Sequence, residues 1–168
     1  LLLAGFTKIS YDSDARWEQF GDSIRAGLAT KSYTAWLNKD IPLPLDSHGK
    51  TVDHSAYMRV AWAKEGALAI IDYPFGVGYS RNAFGHALKK KYGIGQGDSH
   101  NGLINLTLST GIPGTLLWFT WLASIAAIGI NSFQKQNNPA GLTLTFLLCS
   151  YVLRMLMDGN TRDHPFEQ

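Results

Sequence analysis

The stretch Asp98-Ser99-His100-Asn101, then Gly102-Leu103-Ile104-Asn105-Leu106-Thr107-Leu108-Ser109-Thr110, then Gly111-Ile112-Pro113-Gly114, opens a long uncharged run. After Asp98 no Asp, Glu, Lys or Arg occurs before Lys135. A bilayer core needs about 20 apolar residues from a spanning helix, and this run is long enough. Residues 103–109 are too few to span and read as a helix lying at, or dipping into, the interface. Gly111 and Pro113 break it, and Pro113 suits the first turn of the helix that follows. Residues 112–130 are then a predicted span, residues 131–139 a polar hairpin carrying Lys135, and residues 140–157 a second span. The alternative, a helical hairpin inside a water-soluble core, is disfavoured because the rest of the chain is too small to cover it. Two spans joined by one turn put His100 and residues 158–168 on the same side. Lys135 in the turn points to a cytoplasmic turn, with the long preceding segment outside.

Working outward, the 168 residues carry a net charge of +2 and a mean hydropathy of −0.06. That average conceals two halves. Residues 8–98 mix charges, glycines and aromatics, whereas residues 102–157 are strongly apolar. Lys89-Lys90-Lys91 is the one basic run, read as a solvated loop or helix end, so nucleic acid is not expected as a partner. The single cysteine, Cys149, rules out an internal disulfide and a multi-cysteine metal site. Leu1-Leu2-Leu3-Ala4-Gly5 reads as the tail of an earlier apolar segment. The expectation is therefore an all-α, polytopic membrane protein represented by an internal or C-terminal piece. It divides into the end of a preceding span (1–7), a loop region with amphipathic helices (8–101), and an interfacial helix, hairpin and following segment (102–168).

Within the loop region, Trp17, Phe20, Ile24 and Leu28 recur at helical steps, predicting a helix over 12–28. Prolines, Asp46 and Gly49 make 40–50 a loop. A second helix is predicted from a cap at Asp53 or Ser55 to Ile71, ended by Pro74. Residues 73–78 form a turn, 81–92 a short amphipathic helix, and the alternating glycines of 93–97 a loop.

His100 is the first candidate for chemistry. A neutral imidazole near a hydroxyl can act as general base, and Asp98 or Asn101 could orient it; the plainer reading is a capping or interface histidine. Arg59 is either a bidentate phosphate clamp or a snorkelling surface arginine. Arg81 follows Gly76-Val77-Gly78-Tyr79-Ser80 and could serve the same anion. Gly76-x-Gly78 lacks a third glycine and a preceding strand, so it is no dinucleotide fingerprint. Arg154 and Asp158 are four apart at the end of the last apolar run, either a functional intramembrane charge or a structural i,i+4 pair. His48, His54 and His86 lack metal-ligand spacing, and no metal site is expected.

His100-Asn101 followed after nine residues by Gly111-x-x-Gly114 resembles the signature of the O-antigen ligase and polymerase superfamily. Arg59-x-x-Trp62, Pro74-Phe75-Gly76-Val77-Gly78-Tyr79 with Asn82-x-Phe84, and Arg154-Met155-Leu156-Met157-Asp158 with Arg162-Asp163-His164 resemble further segments of its ligases. The resemblance covers most of residues 56–168, and residues 8–50 carry little of it. It implies a GT-C-like helical enzyme of the bacterial inner membrane, working on the periplasmic face without metal or cofactor. Glycan would pass from an undecaprenyl-pyrophosphate carrier to a hydroxyl of the lipid A core. His100 would be the base, Arg59 and less directly Arg81 would hold the pyrophosphate, and Asp98, Asn101, Gly111, Gly114, Arg154 and Asp158 would support them. The resemblance also admits an O-antigen polymerase or a protein O-oligosaccharyltransferase, and outside enzymes a transport-associated membrane protein. Without the spans that should precede it, the isolated piece is expected to be inactive.

Overall fold

A computed structural model describes residues 15–80, 82–95 and 98–157. Five helices follow in order: α1 (Ala15–Leu28), α2 (His54–Asp72), α3 (Ala83–Tyr92), α4 (Gly102–Gln136) and α5 (Pro139–Met157). The one β-type pairing among the described residues is an isolated antiparallel bridge between Leu45 and Thr51. The architecture is thus all-helical, as expected for a helical membrane protein. The chain divides inside α2 into two units, residues 1–65 and 66–168.

In the first unit, α1 begins within the predicted range, although residues 12–14 lie outside the described residues. Asp53 caps α2, its carboxylate accepting from the Ala56 N–H at 2.7 Å. The helices approach closely at Gly27, where a Cβ would stand 2.8 Å from both the Tyr57 carbonyl oxygen and the Val60 Cβ. Lys64 donates to the Leu28 carbonyl at the end of α1, which satisfies one of the acceptors that a helix C-terminus leaves open. Aromatic side chains then pin the segment after α1. Tyr57 Oη donates to the Tyr33 carbonyl at 3.0 Å, the Trp36 indole to the Thr30 carbonyl at 3.0 Å, and the Trp62 indole to the Trp36 carbonyl at 3.2 Å.

The predicted loop over 40–50 is held from α1. Asp22 accepts from the Ser47 hydroxyl at 2.6 Å, the Ser47 N–H at 2.9 Å and Arg25 at 2.7 Å. The Ser47 hydroxyl bond chiefly, then its N–H, hold the Asp22 carboxyl below the usual carboxylate range; Arg25 and His48 add to this and burial opposes it.

In the second unit, Asn82 caps α3 by accepting from the Gly85 N–H at 2.9 Å, so the helix starts at Ala83 rather than at residue 81. Gly93 closes it in the left-handed conformation, its N–H donating to the Lys89 carbonyl. The lysine run is the last turn of α3, where cations favour the helix dipole; Lys91 pairs with Asp72 at 2.8 Å and Lys90 lies over the Tyr73 ring.

Helix α4 has non-helical backbone at Gly111 (φ 75°, ψ 171°), the predicted break, which separates a first arm, 102–110, from a second, 112–136. The arms fold sharply back. In an unbroken helix residues eight apart are separated by about 12 Å of axis, yet the hydroxyls of Thr107 and Thr115 are 3.1 Å apart. The second arm and α5 form a hairpin, in closest approach where Gly129 meets Gly141. Here the prediction needs correcting. Residues 131–136 stay helical, and the turn is only Asn137, left-handed at φ 52°, and Asn138, whose carboxamide accepts from the Ala140 N–H. Polar side chains do not unwind a helix whose backbone bonds are complete; the left-handed Asn137 and Pro139 end it. Both α4 and α5 are long and apolar enough to cross a membrane, and only 11% of each apolar window is buried. Core helices of a water-soluble protein would be mostly buried.

The break is closed by a distant segment. Residues 74–78 form the predicted turn and dock against it. The Val77 N–H donates to the Leu108 carbonyl at 2.7 Å, and the Ile112 N–H donates to the Pro74 carbonyl at 2.8 Å. Both sides of the contact are glycine at positive φ. A Cβ on Gly76 (φ +82°) would meet the Gly111 nitrogen at 2.8 Å, and one on Gly111 would meet the Phe75 carbonyl carbon at 2.6 Å.

Two predictions follow from these contacts. Gly76→Ala and Gly111→Ala should each lower stability by at least about 1–2 kcal/mol, the cost of left-handed backbone to an L-residue. Because both open the same contact, the double variant should lose clearly less than the sum; additive losses in thermal melts would show that the two glycines act separately. For Asp22, whose folded pKa is depressed, the stabilisation is complete above the unfolded value near 3.8 and is lost as pH falls through the folded value. The stability gap between the parent and Asp22→Asn should therefore close in acid, and a gap constant from neutral pH to pH 3 would contradict this origin.

Candidate functional site

The candidate site is the loop that ends in Asn101, the N-cap of α4. The Asn101 carboxamide oxygen accepts from the Ile104 N–H at 3.1 Å, the capping bond that an Asn before a helix supplies. Its Nδ2 donates to the Leu156 carbonyl at 3.0 Å. One side chain therefore ties the start of α4 to the last turn of α5, and the folded-back first arm brings these ends together. Ser99, buried, donates from its hydroxyl to the Asn101 carbonyl at 3.0 Å and accepts from the Asn101 N–H at 3.2 Å.

His100 stands between these anchors, exposed and with φ +50°. Left-handed backbone is uncommon outside glycine, though histidine tolerates it better than most residues, and such strain concentrates where surrounding contacts over-determine the chain. On its other side, Asp98 Oδ1 accepts from Asn105 Nδ2 at 2.6 Å. Asp98 and Asn101 thus bind neighbouring structure on either side of His100.

Gly111 and Gly114 serve the fold of the arm beneath His100. Gly111 is the break itself. At Gly114 a Cβ would collide with the Thr110 side chain across the bend. Thr115, buried, donates to the Gly111 carbonyl at 3.0 Å.

Arg154 is exposed in the last turn of α5, two residues before Leu156. Arg59 belongs to the first unit, on an exposed position of α2. Arg81, Asp158, Arg162, Asp163 and His164 lie outside the described residues, and the Arg154–Asp158 pairing with them. Among the described residues no group of three or more His, Cys, Asp or Glu could hold a metal ion. Two features of the site escape a reading of the sequence by motif: the docking of the 74–78 turn into the helix break, and Asn105. The second had a signal, a lone carboxamide between Ile104 and Leu106 in an otherwise apolar stretch.

Neither a curated protein nor a solved structure matches the chain. The family model for O-antigen ligase matches residues 12–119, a range that includes α1 to α3, the His100 loop and the break at Gly111. That range is well over half of the chain, and the chain belongs to the O-antigen ligase family, whose members are glycosyltransferase-like membrane enzymes acting on lipid-linked glycans.

Proposed function

We propose that the full-length protein is an O-antigen ligase that moves glycan from undecaprenyl pyrophosphate to a hydroxyl of the lipid A core. The reaction would run on the periplasmic face of the bacterial inner membrane. The observation that carries this reading is His100: an exposed imidazole, held in left-handed backbone at the mouth of a membrane-length apolar helix. In this reading the imidazole takes the acceptor hydroxyl proton as the oxygen attacks the anomeric carbon. The bond from that carbon to the pyrophosphate oxygen breaks, and undecaprenyl pyrophosphate leaves with the electron pair. The leaving group is an anion and needs charge neutralisation more than protonation. Arg59 and Arg81 are the proposed guanidinium partners, because a planar fork matches phosphate oxygens bidentately; this chemistry calls for no metal ion or cofactor. Gly111 and Gly114 support the reading by shaping the arm under His100, and Arg154 and Asp158 are proposed to support the same end of the hairpin.

In the full-length protein, His100→Ala should lower the turnover of glycan transfer by about 10²–10⁴-fold, the range of a general base, with expression intact. Retained transfer would end the general-base role. Arg59→Lys should raise the KM for the lipid-linked donor on the order of tenfold, since one charge-assisted bond of a pair is lost; an unchanged KM would count against a bidentate contact. Ligase and polymerase separate in knockout cells. Loss of all long chains from lipopolysaccharide with carrier-linked polymer accumulating fits a ligase, and a single-repeat band fits a polymerase.

A further inference from the structure

Asn105 lies in the first arm of α4 and is 5% exposed. Its Nδ2 donates to Asp98, but among the described residues its Oδ1 has no hydrogen-bond partner. A buried amide left with one end unpaired is a net cost, and an apolar side chain of the same volume avoids it. Ile104 and Leu108 on the same arm are buried apolar residues, so the surroundings would accept leucine. Packing alone therefore does not account for Asn105. Its bond to Asp98 does, because that bond fixes the chain two residues before a histidine in a disfavoured conformation. Asn101, tied to Leu156, fixes the chain on the other side.

We infer that Asn105 is a positioning residue for His100, acting through Asp98 to hold the imidazole where it meets the acceptor hydroxyl. The inference rests on the reading of His100 as the base. Displacement of a catalytic group by about 1 Å costs on the order of 100-fold in rate, which sets the scale of the effect.

The test uses the full-length protein in lipid nanodiscs with a lipid-linked glycan donor. Asn105→Leu should stay folded, yet lose about 30–100-fold in kcat with KM changed less than about twofold. Asn105→Asp keeps the shape and makes the tether titratable. Ionised, the introduced acid faces the Asp98 carboxylate and the bond is lost; protonated, its O–H donates to Asp98 and the bond returns. The kcat of this variant divided by that of the parent at each pH should rise as pH falls. Parental kcat in Asn105→Leu, or a flat ratio in Asn105→Asp, would overturn the inference. Hydrogen exchange at the amides of residues 99–101 reads the tether without reference to transfer. Faster exchange in Asn105→Leu supports the tether even if His100→Ala were to stay active, in which case only the base reading falls. Unchanged exchange overturns the tether itself.

Discussion

Two main-chain hydrogen bonds, from the Val77 N–H to the Leu108 carbonyl and from the Ile112 N–H to the Pro74 carbonyl, allow α4 to break where it does. A helix interrupted inside an apolar run leaves carbonyl and N–H groups without intrahelical partners, and in lipid each such group costs several kcal/mol. The 74–78 turn supplies one donor and one acceptor at the matching distance. Glycine is needed on both faces because the backbones meet at van der Waals contact, leaving no room for a Cβ at Gly76 or Gly111. Pro113, in the first turn of the second arm, gives up an N–H that a helix start could not have satisfied anyway.

From that junction the rest of the site follows by geometry. The break lets the first arm fold back until Thr107 and Thr115 touch, and the folded arm brings Asn101 to the last turn of α5. A straight α4 would carry His100 well beyond the end of the hairpin. The bend instead holds it beside Leu156, between a cap that grips α5 and a carboxylate gripped by Asn105. The spacing from His100-Asn101 to Gly111 and Gly114 is thus the length of one short helical arm plus its hinge.

Much of this was legible in the sequence because its causes are local. Gly111 with Pro113 announces a break, and the uncharged stretch to Lys135 announces a membrane-length helix. The hairpin turn was less legible: the polarity of residues 131–136 suggests a loop, whereas helix termination depends on Asn137 taking left-handed backbone. The docking of the 74–78 turn could not be read at all. It is made by backbone groups, which every residue carries, and it pairs segments some thirty residues apart. Only the glycines at 76 and 111 leave a trace, and each alone reads as an ordinary turn or break. Asn105 was hidden for another reason. Averaged hydropathy absorbs one carboxamide among Leu, Ile and Thr, although a buried polar residue is the most informative kind in such a run.

The distribution of costs through the chain argues for where function lies. In the first unit polar groups are mostly partnered: Asp22 by Ser47 and Arg25, Tyr57 and the tryptophans by main-chain carbonyls. Thr30 Oγ1 is the exception among its described buried side chains. Between residues 98 and 115 a different set of features gathers: a histidine in left-handed backbone, a buried amide half-satisfied, a helix broken in its apolar run, and glycines with no space beside them. The left-handed histidine and the half-satisfied amide are not the most stable choices for their positions, whereas the glycines are required by the junction beneath them. Strain and imperfect burial gathered at a single side chain are what selection for stability removes and selection for chemistry retains. That concentration, more than the presence of a histidine near a membrane, is what supports the role proposed for His100.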